Sequence, residues 1–309
     1  MWFKNCHIYQ IPDTFELSAD ELAEKLEAQR FKPCAKMVDK SIGWVSPIHR
    51  SKDYLIHAAA GCILFCMRKE QKVIPASAIK EALEEKITTM QDELGRKVYS
   101  KEKQTIKEDI VSMMLPKAFP RSSHIKAYID TKNRWLIIDA TSPTQVDEFY
   151  ELLLRSIGSF GAMQFIAEEN PASIMHQWIF HGTPQDWTLS GEYLLKEPKD
   201  ERVARFKDSN GENHYVADLL KDGYLINRLG IHFKNLLQAT MQEDLQIKGI
   251  KFNHELLKEN DELDSEDELV KFDADFALMT TALADFISSI RDIFKIKAIH
   301  SDHQPRKIS

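Results

Sequence analysis

One stretch, residues 124–140, narrows the fold more than any other: it reads HIKAYID, then TKNR, then WLIIDA. Strand side chains alternate between the faces of a sheet, so Ile125, Ala127 and Ile129 point one way and Lys126, Tyr128 and Asp130 the other. TKNR is the turn, and the return strand is apolar on both faces. A second stretch, YLIHAAAGCILFCM at 54–67, is apolar throughout and predicts another hairpin or strand pair buried on both faces. The RKEQK that follows predicts a polar turn.

Helical periods alternate with these strands. Residues 2–11 predict a strand that Pro12 helps to end, and residues 43–45 a short extended piece. Ser18, with Glu21 three residues on, has the pattern of a capping box for a helix that buries Leu22 and Leu26. Pro75 opens a helix whose stripe is Ile79, Leu83, Ile87, Met90 and Leu94, with Gly95 as its stop. The next starts near Ser100, buries Ile106, Ile110 and Met113, and breaks at Pro116. Ser142, Pro143 and Gln145 mark a helix start with a capping box, ahead of buried Val146, Phe149, Leu153 and Ile157. Asn170-Pro171 predicts a short helix through Phe180, followed by strands at 187–195 and 203–206 and a turn at Asp208-Ser-Asn-Gly211.

Residues 224–252 read as extended, with Leu225, Leu229, Ile231 and Phe233 on one face and Arg228, His232 and Lys234 on the other. A long helix closes the chain at about 274–296, striped by Phe276, Met279, Leu283, Phe286, Ile287, Ile290 and Phe294. Residues 299–309 are polar and predict a frayed tail. The fold class is α+β, mixed helices and antiparallel sheets. It divides into an N-terminal α+β part (1–74 with 136–169), a basic helical arm and hairpin (75–135), a strand-rich part (170–252) and an acidic, helical C-terminal part (253–298).

Charge is unevenly placed along a chain of net charge −7. Residues 96–134 hold ten basic residues against four acids, while 255–285 hold eleven acids against Lys258 and Lys271. Such separation sets up a strong local field. No apolar run reaches the ~18–20 residues of a membrane helix, and the N-terminus lacks the pattern of a secretory signal. Four cysteines in 309 residues point to a reducing cytoplasm rather than a disulfide scaffold.

Candidate chemistry is sparse. Cys62 and Cys66 have no second pair at zinc spacing and read as small core residues; His7 and His57 read as core or surface histidines. Asp273 and Asp275 suggest a magnesium pair only if they converge, which alternate residues of a helix do not. Gly158-Ser-Phe-Gly161 has the form of a GxxG loop but is also explained by a helix end and turn. No GxxxxGK[ST] or GxSxG occurs, so no catalytic residue, metal or cofactor is expected. The basic residues remain. Arg96, Lys97, Lys103 and Lys107, then Lys117 and Arg121 around a proline break, are spaced to follow phosphates, with Arg228, Lys234, Lys248 and Lys251 extending the surface.

Several segments are similar to one family. MWFKN at the start, RKEQKVIPASAIKEALEEKI, GRK at 95–97, LPKAFPR at 115–121 and FDADFALMTTALADFI at 272–287 resemble, in order and spacing, the bacterial recombination-associated RdgC family. The resemblance implies a non-enzymatic, nucleoid-associated cytoplasmic protein whose elongated, curved subunits form a ring-shaped homodimer. Such a ring encircles single- or double-stranded DNA without sequence preference and inhibits RecA-promoted recombination. It implies that Phe119 is a dimer contact and that Lys117 and Arg121 lie near the DNA. Lys117 stands where the family pattern has Arg, keeping the charge but losing a bidentate fork; Pro120 stands where it has Ser, removing a backbone donor. A metal-dependent nuclease or phosphotransferase, or a scaffold acting on RecA directly, is the alternative.

Overall fold

The structure, a computed structural model, describes residues 1–48, 53–207, 214–261 and 268–299. The expected turn at 208–211 and nearly all of the polar tail lie outside them. In chain order the elements begin with β1 (Asn5–Gln10), α1 (Ala19–Glu27), β2 (Lys40–Val45), β3 (Ile56–Ala59) and β4 (Cys62–Val73). Next come α2 (Ala76–Leu94), α3 (Ser100–Met114), a 3₁₀ turn (Leu115–Lys117), β5 (Phe119–Asp130), β6 (Trp135–Asp139), α4 (Pro143–Ile157), β7 (Met163–Gln164) and α5 (Pro171–His181). The chain continues through β8 (Trp187–Lys196), β9 (Val203–Phe206), α6 (His214–Lys221), β10 (Leu225–Phe233), β11 (Leu237–Gln242), β12 (Ile247–Phe252), α7 (His254–Asp261) and α8 (Glu268–Ile293). All the strands belong to one twelve-stranded antiparallel sheet, ordered β2-β4-β5-β6-β1-β12-β11-β10-β8-β9, with β3 against β4 and β7 against β1. The α+β reading holds.

β1 joins the two halves of the sheet. Its Asn5 and Cys6 pair with Lys248 and Ile247 of β12, whereas His7 to Gln10 pair with β6. The two faces then carry different cores. On one face, Tyr9, Phe65, Ile125 and Ile138 pack with Leu22 and Leu26 of α1 and Phe149 and Leu153 of α4. On the other, Ile8, Leu64, Tyr128 and Ile137 pack with the α8 stripe, whose Phe276, Met279, Leu283, Phe286, Ile287, Ile290 and Phe294 are all fully buried. That is why the central strands are apolar in both registers. Beyond β1, β11 alternates buried residues on the α8 face with half-exposed residues on the other.

Local signals placed most helix ends correctly. Ser18 Oγ accepts from Glu21 N while Glu21 Oε2 accepts from Ser18 N, the expected capping box. Gly95 ends α2 at φ +60°, which a residue without Cβ adopts freely. At α4 the cap is shared: Ser142 Oγ accepts from Gln145 N, but Gln145 Oε1 accepts from Thr141 N rather than Ser142 N.

Four expectations need correction. RKEQK is not a turn: the turn is at Ala60 and Gly61, and residues 68–72 continue β4 to Val73 with β2 on one edge and β5 on the other. Extended backbone there is fully hydrogen-bonded, which outweighs the polarity of the run. β5 starts at Phe119, five residues earlier than its apolar alternation. Met113 is 67% exposed and Leu94 49% exposed, because the small core between α2 and α3, around Val98, Ile106 and Ile110, leaves them outside it. Leu225 is exposed and Ile226 buried; a register shift between Ile226 and Arg228 in the β8–β10 ladder moves the apolar face by one residue.

Candidate nucleic-acid interface

The arm formed by α2 and α3 carries the first group of cations. Lys103 and Lys107 are one turn apart on α3, beside its buried Ile106 and Ile110, and both are exposed. Lys97, Lys117 and Arg121 are exposed as well. Among the described residues no carboxylate lies within ion-pair distance of any of these five that the structure records. Arg96 differs. Its Nη1 and Nη2 donate to Glu102 Oε2 and Oε1 at 3.0 and 2.7 Å, and its guanidinium lies 5.3 Å from the Tyr99 ring centroid. That fork and the Tyr99 N–H hold the Glu102 carboxyl down at about 2. Arg96 therefore secures the start of α3, a role that the sequence reading did not assign.

The second group lies on the sheet beyond β1. In register, Arg228 opposes Gln242, Thr240 opposes Lys248 and Gln238 opposes Lys251, so Arg228, Lys248 and Lys251 share the face turned away from α8. Lys248 sits there near His7, whose imidazole is held below its usual range first by burial and then by this lysine. Gly230 lies in the middle of this face because Ser190 and Glu192 close over it; a Cβ would come within 2.2 Å of Ser190 Oγ. Lys234 is not on this face. It follows the end of β10 at φ +48°, and its Nζ reaches Asp285 of α8 at 2.5 Å, on the other side of the sheet. A cation that the sequence reading missed is Arg205, exposed on β9 opposite Leu194 and in line with Arg228. Its signal was the alternation of Ala204 and Phe206, packed on the core, with Val203 and Arg205.

The two groups are set apart by strands β6 and β1. Near the arm group, Phe119 is 86% exposed and borders a cleft of about 770 Å³ lined by Val73, Ala82, Ile110, Met113 and Met114. The remaining candidates have structural partners. Cys62 and Cys66 are buried on β4, and burial pushes both thiols up to about 12, where neither is a thiolate at neutral pH. Asp273 and Asp275 lie within α8 and diverge. Asp273 Oδ1 lies 2.8 Å from His57 Nε2 without hydrogen-bond alignment, and Asp275 Oδ2 accepts from the Met1 amino group at 2.6 Å. Among the described residues no three His, Cys, Asp or Glu side chains are grouped so as to hold a metal ion; Glu262, Asp264, Glu266 and Asp267 of the acidic stretch lie outside them. Gly158 caps α4 at φ +78°, and Gly161 has φ +66°. Among the described residues no helix is long and apolar enough to cross a membrane.

Fold and surface define an α+β protein built on one long antiparallel sheet, with a small helical arm and two separate groups of surface cations. A family model described as "Putative exonuclease, RdgC" matches residues 1–297. The chain is 36% identical to the recombination-associated protein RdgC of Aeromonas hydrophila over 292 residues, which cover 94% of this chain and 96% of that one. It is 34% identical to the protein of the same name from Tolumonas auensis (94% and 97% covered) and 35% to that of Salmonella typhimurium (94% and 96%). The chain belongs to the RdgC family.

Proposed function

We propose that this protein binds single- and double-stranded DNA without sequence preference, encircles it as a homodimeric ring and restrains RecA-promoted recombination. The observation that carries the reading is the set of exposed cations on and beside the arm, Lys97, Lys103, Lys107, Lys117 and Arg121, none of which has a carboxylate at ion-pair distance among the described residues. Phosphates would supply the counter-charge, and the affinity would come from counterion release. Arg228, Lys248 and Lys251 add a second run, with Arg205 beside them; Arg96 and Lys234, bound to Glu102 and Asp285, contribute less. The ring is supported by Phe119, a large apolar side chain exposed beside an apolar cleft, suited to a second copy of the chain. The restraint of RecA follows from occupying the same DNA, and recombination appears in the names of the relatives.

Fluorescence anisotropy on a random-sequence duplex and a single strand, across a salt series in EDTA, tests this. Affinity should fall steeply with salt and be indifferent to sequence; absence of binding at low salt would overturn the reading. The description of the family model motivates a second reading, a metal-dependent nuclease. Magnesium-dependent shortening of an end-labelled duplex, lost in EDTA, would establish it. Inhibition of RecA that survives charge reversal at Lys117 and Arg121 would instead favour a scaffold acting on RecA.

A further inference from the structure

A second polar site lies on the α8 side of the sheet, away from the face that carries Arg228, Lys248 and Lys251. It is a cavity of about 520 Å³ between the β4–β5 ladder and Ser46, Pro47 and Ile48 just past the end of β2. Arg68 and His124 oppose each other in that ladder, and Lys126 opposes Cys66 one rung further along the same face. All three line the cavity, as does Arg30, whose guanidinium is already held by Glu27 at 2.5 and 2.8 Å, and among the described residues no carboxylate lines it.

The charges are positioned rather than merely gathered. The Arg68 guanidinium lies 4.4 Å from the Phe31 ring centroid, and Nη2 donates to Glu70 Oε2 at 2.9 Å and Ser122 Oγ at 3.0 Å. Its Nε is buried and has no partner. Glu70 is also held by the Cys34 N–H, so its charge is shared. Lys126 is held below the ordinary lysine range by burial. The carboxylate opposite it, Asp139, already accepts from the N–H groups of Lys4 and Asn5 and from the Asn5 side chain. An anion entering here would meet the Arg68 guanidinium and a poorly solvated ammonium, the setting in which charged hydrogen bonds are strongest.

We propose that this cavity binds a small phosphate monoester with an apolar body, of the nucleoside monophosphate class. Arg68, His124 and Lys126 on one wall, against the single Glu70 that Arg68 already holds, leave a net positive lining that suits a dianion better than a single carboxylate, and a guanidinium suits phosphate geometry. The cavity is several times larger than a phosphate group, and Phe31, Pro47 and Ile48 give it an apolar wall, the mixture usual in small-molecule sites. The inference does not rest on the DNA-encircling reading, because it uses none of that surface.

Isothermal titration of the full chain with 2′-deoxyadenosine 5′-monophosphate tests it, with deoxyadenosine and inorganic phosphate as controls. The monophosphate should saturate one site per chain and bind more tightly than either control. Lys126→Met and Arg68→Gln should each weaken it by about 10- to 100-fold, the range for a charged hydrogen bond. His124→Gln, at an exposed side chain, gives a variant with little folding risk and should weaken it less. Binding of each folded variant to closed circular duplex should stay as in the parent, which separates this site from the clamp; Arg68→Gln, which removes the partner of buried Glu70, should also melt lower, whereas His124→Gln should melt as the parent does. Displacement of the monophosphate by a 5′-phosphorylated oligonucleotide, but not by its 5′-hydroxyl form, would assign the phosphate to a strand terminus. Displacement by neither would assign it to a free nucleotide. No saturable binding, or equal binding of deoxyadenosine, or binding unchanged in the folded Lys126→Met and Arg68→Gln variants, would overturn the proposal.

Discussion

The arm and the centre of the sheet use equally regular sequence to opposite ends. α8 and α2 both show an unbroken apolar stripe, yet every stripe residue of α8 is fully buried and α2 has no buried residue at all. The difference is what lies opposite. α8 covers strands from both halves of the sheet, while α2 joins only a small cluster with α3 among the described residues, around Val98, Ile106 and Ile110. Burial stabilises a helix far more than propensity does, so the arm should be the region that opens first. It also carries exposed Lys97, Lys103 and Lys107, and exposed Phe119 lies beside it at the start of β5. The molecule concentrates its stability under α8, while five of its proposed phosphate contacts lie on or beside the arm.

The largest expected effect tests that division directly. Phe286→Ala, in the contact of α8 with Trp187 and Phe233, should cost about 3–5 kcal/mol of global stability in urea unfolding. Ile110→Ala should leave the global midpoint nearly unchanged and instead speed amide hydrogen exchange across α2 and α3. Equal losses of global stability in both variants would mean that arm and sheet unfold as one unit.

Next in size is a loss of binding without a loss of stability. Replacing Lys103, Lys107, Lys117 and Arg121 together by Gln should reduce the salt slope of duplex binding by up to about 3.6, at roughly 0.9 per phosphate contact, with the melting temperature unchanged. Lys234→Gln, which breaks the contact with Asp285, should leave that slope unaltered. If the two variants behave alike, the partnered and unpartnered cations are not distinct. Phe119→Ala should shift the sedimentation of a homodimer toward monomer while changing unfolding free energy by less than about 0.5 kcal/mol, as expected for an exposed side chain.

The smallest effect concerns pH. Glu102 lies below its ordinary 4.5, at about 2, because of Arg96 and the Tyr99 N–H. A carboxyl depressed in the folded state contributes stability that is present above its unfolded pKa and fades as pH falls through the folded one. Fraying at the start of α3 should therefore increase between about pH 4.5 and 2, read by amide exchange at residues 100–103. Glu102→Gln should remove the pH dependence. A central-strand amide such as that of Tyr128 should not respond over this range in the same way.

Elements governed by neighbours in sequence were legible in sequence. The Ser18–Glu21 capping box, the Gly95 stop, the 124–140 hairpin and the α8 stripe each depend on residues within a few turns of one another, where helical and strand periods and cap chemistry act. The run of ten cations was equally plain, and so was the family likeness. Tertiary pairing decided the rest. Residues 68–72 became strand because β2 and β5, distant in sequence, satisfy their backbone; Ile226 rather than Leu225 faces the core because the ladder with β8 slips by a residue. Among the cations, Arg96 and Lys234 were drawn into Glu102 and Asp285, and Arg68 and Lys126 were brought into one cavity across strands far apart in the chain. Periodicity fixes which way a side chain faces within its own element, but its partner is fixed only when strands separated by tens of residues find their register.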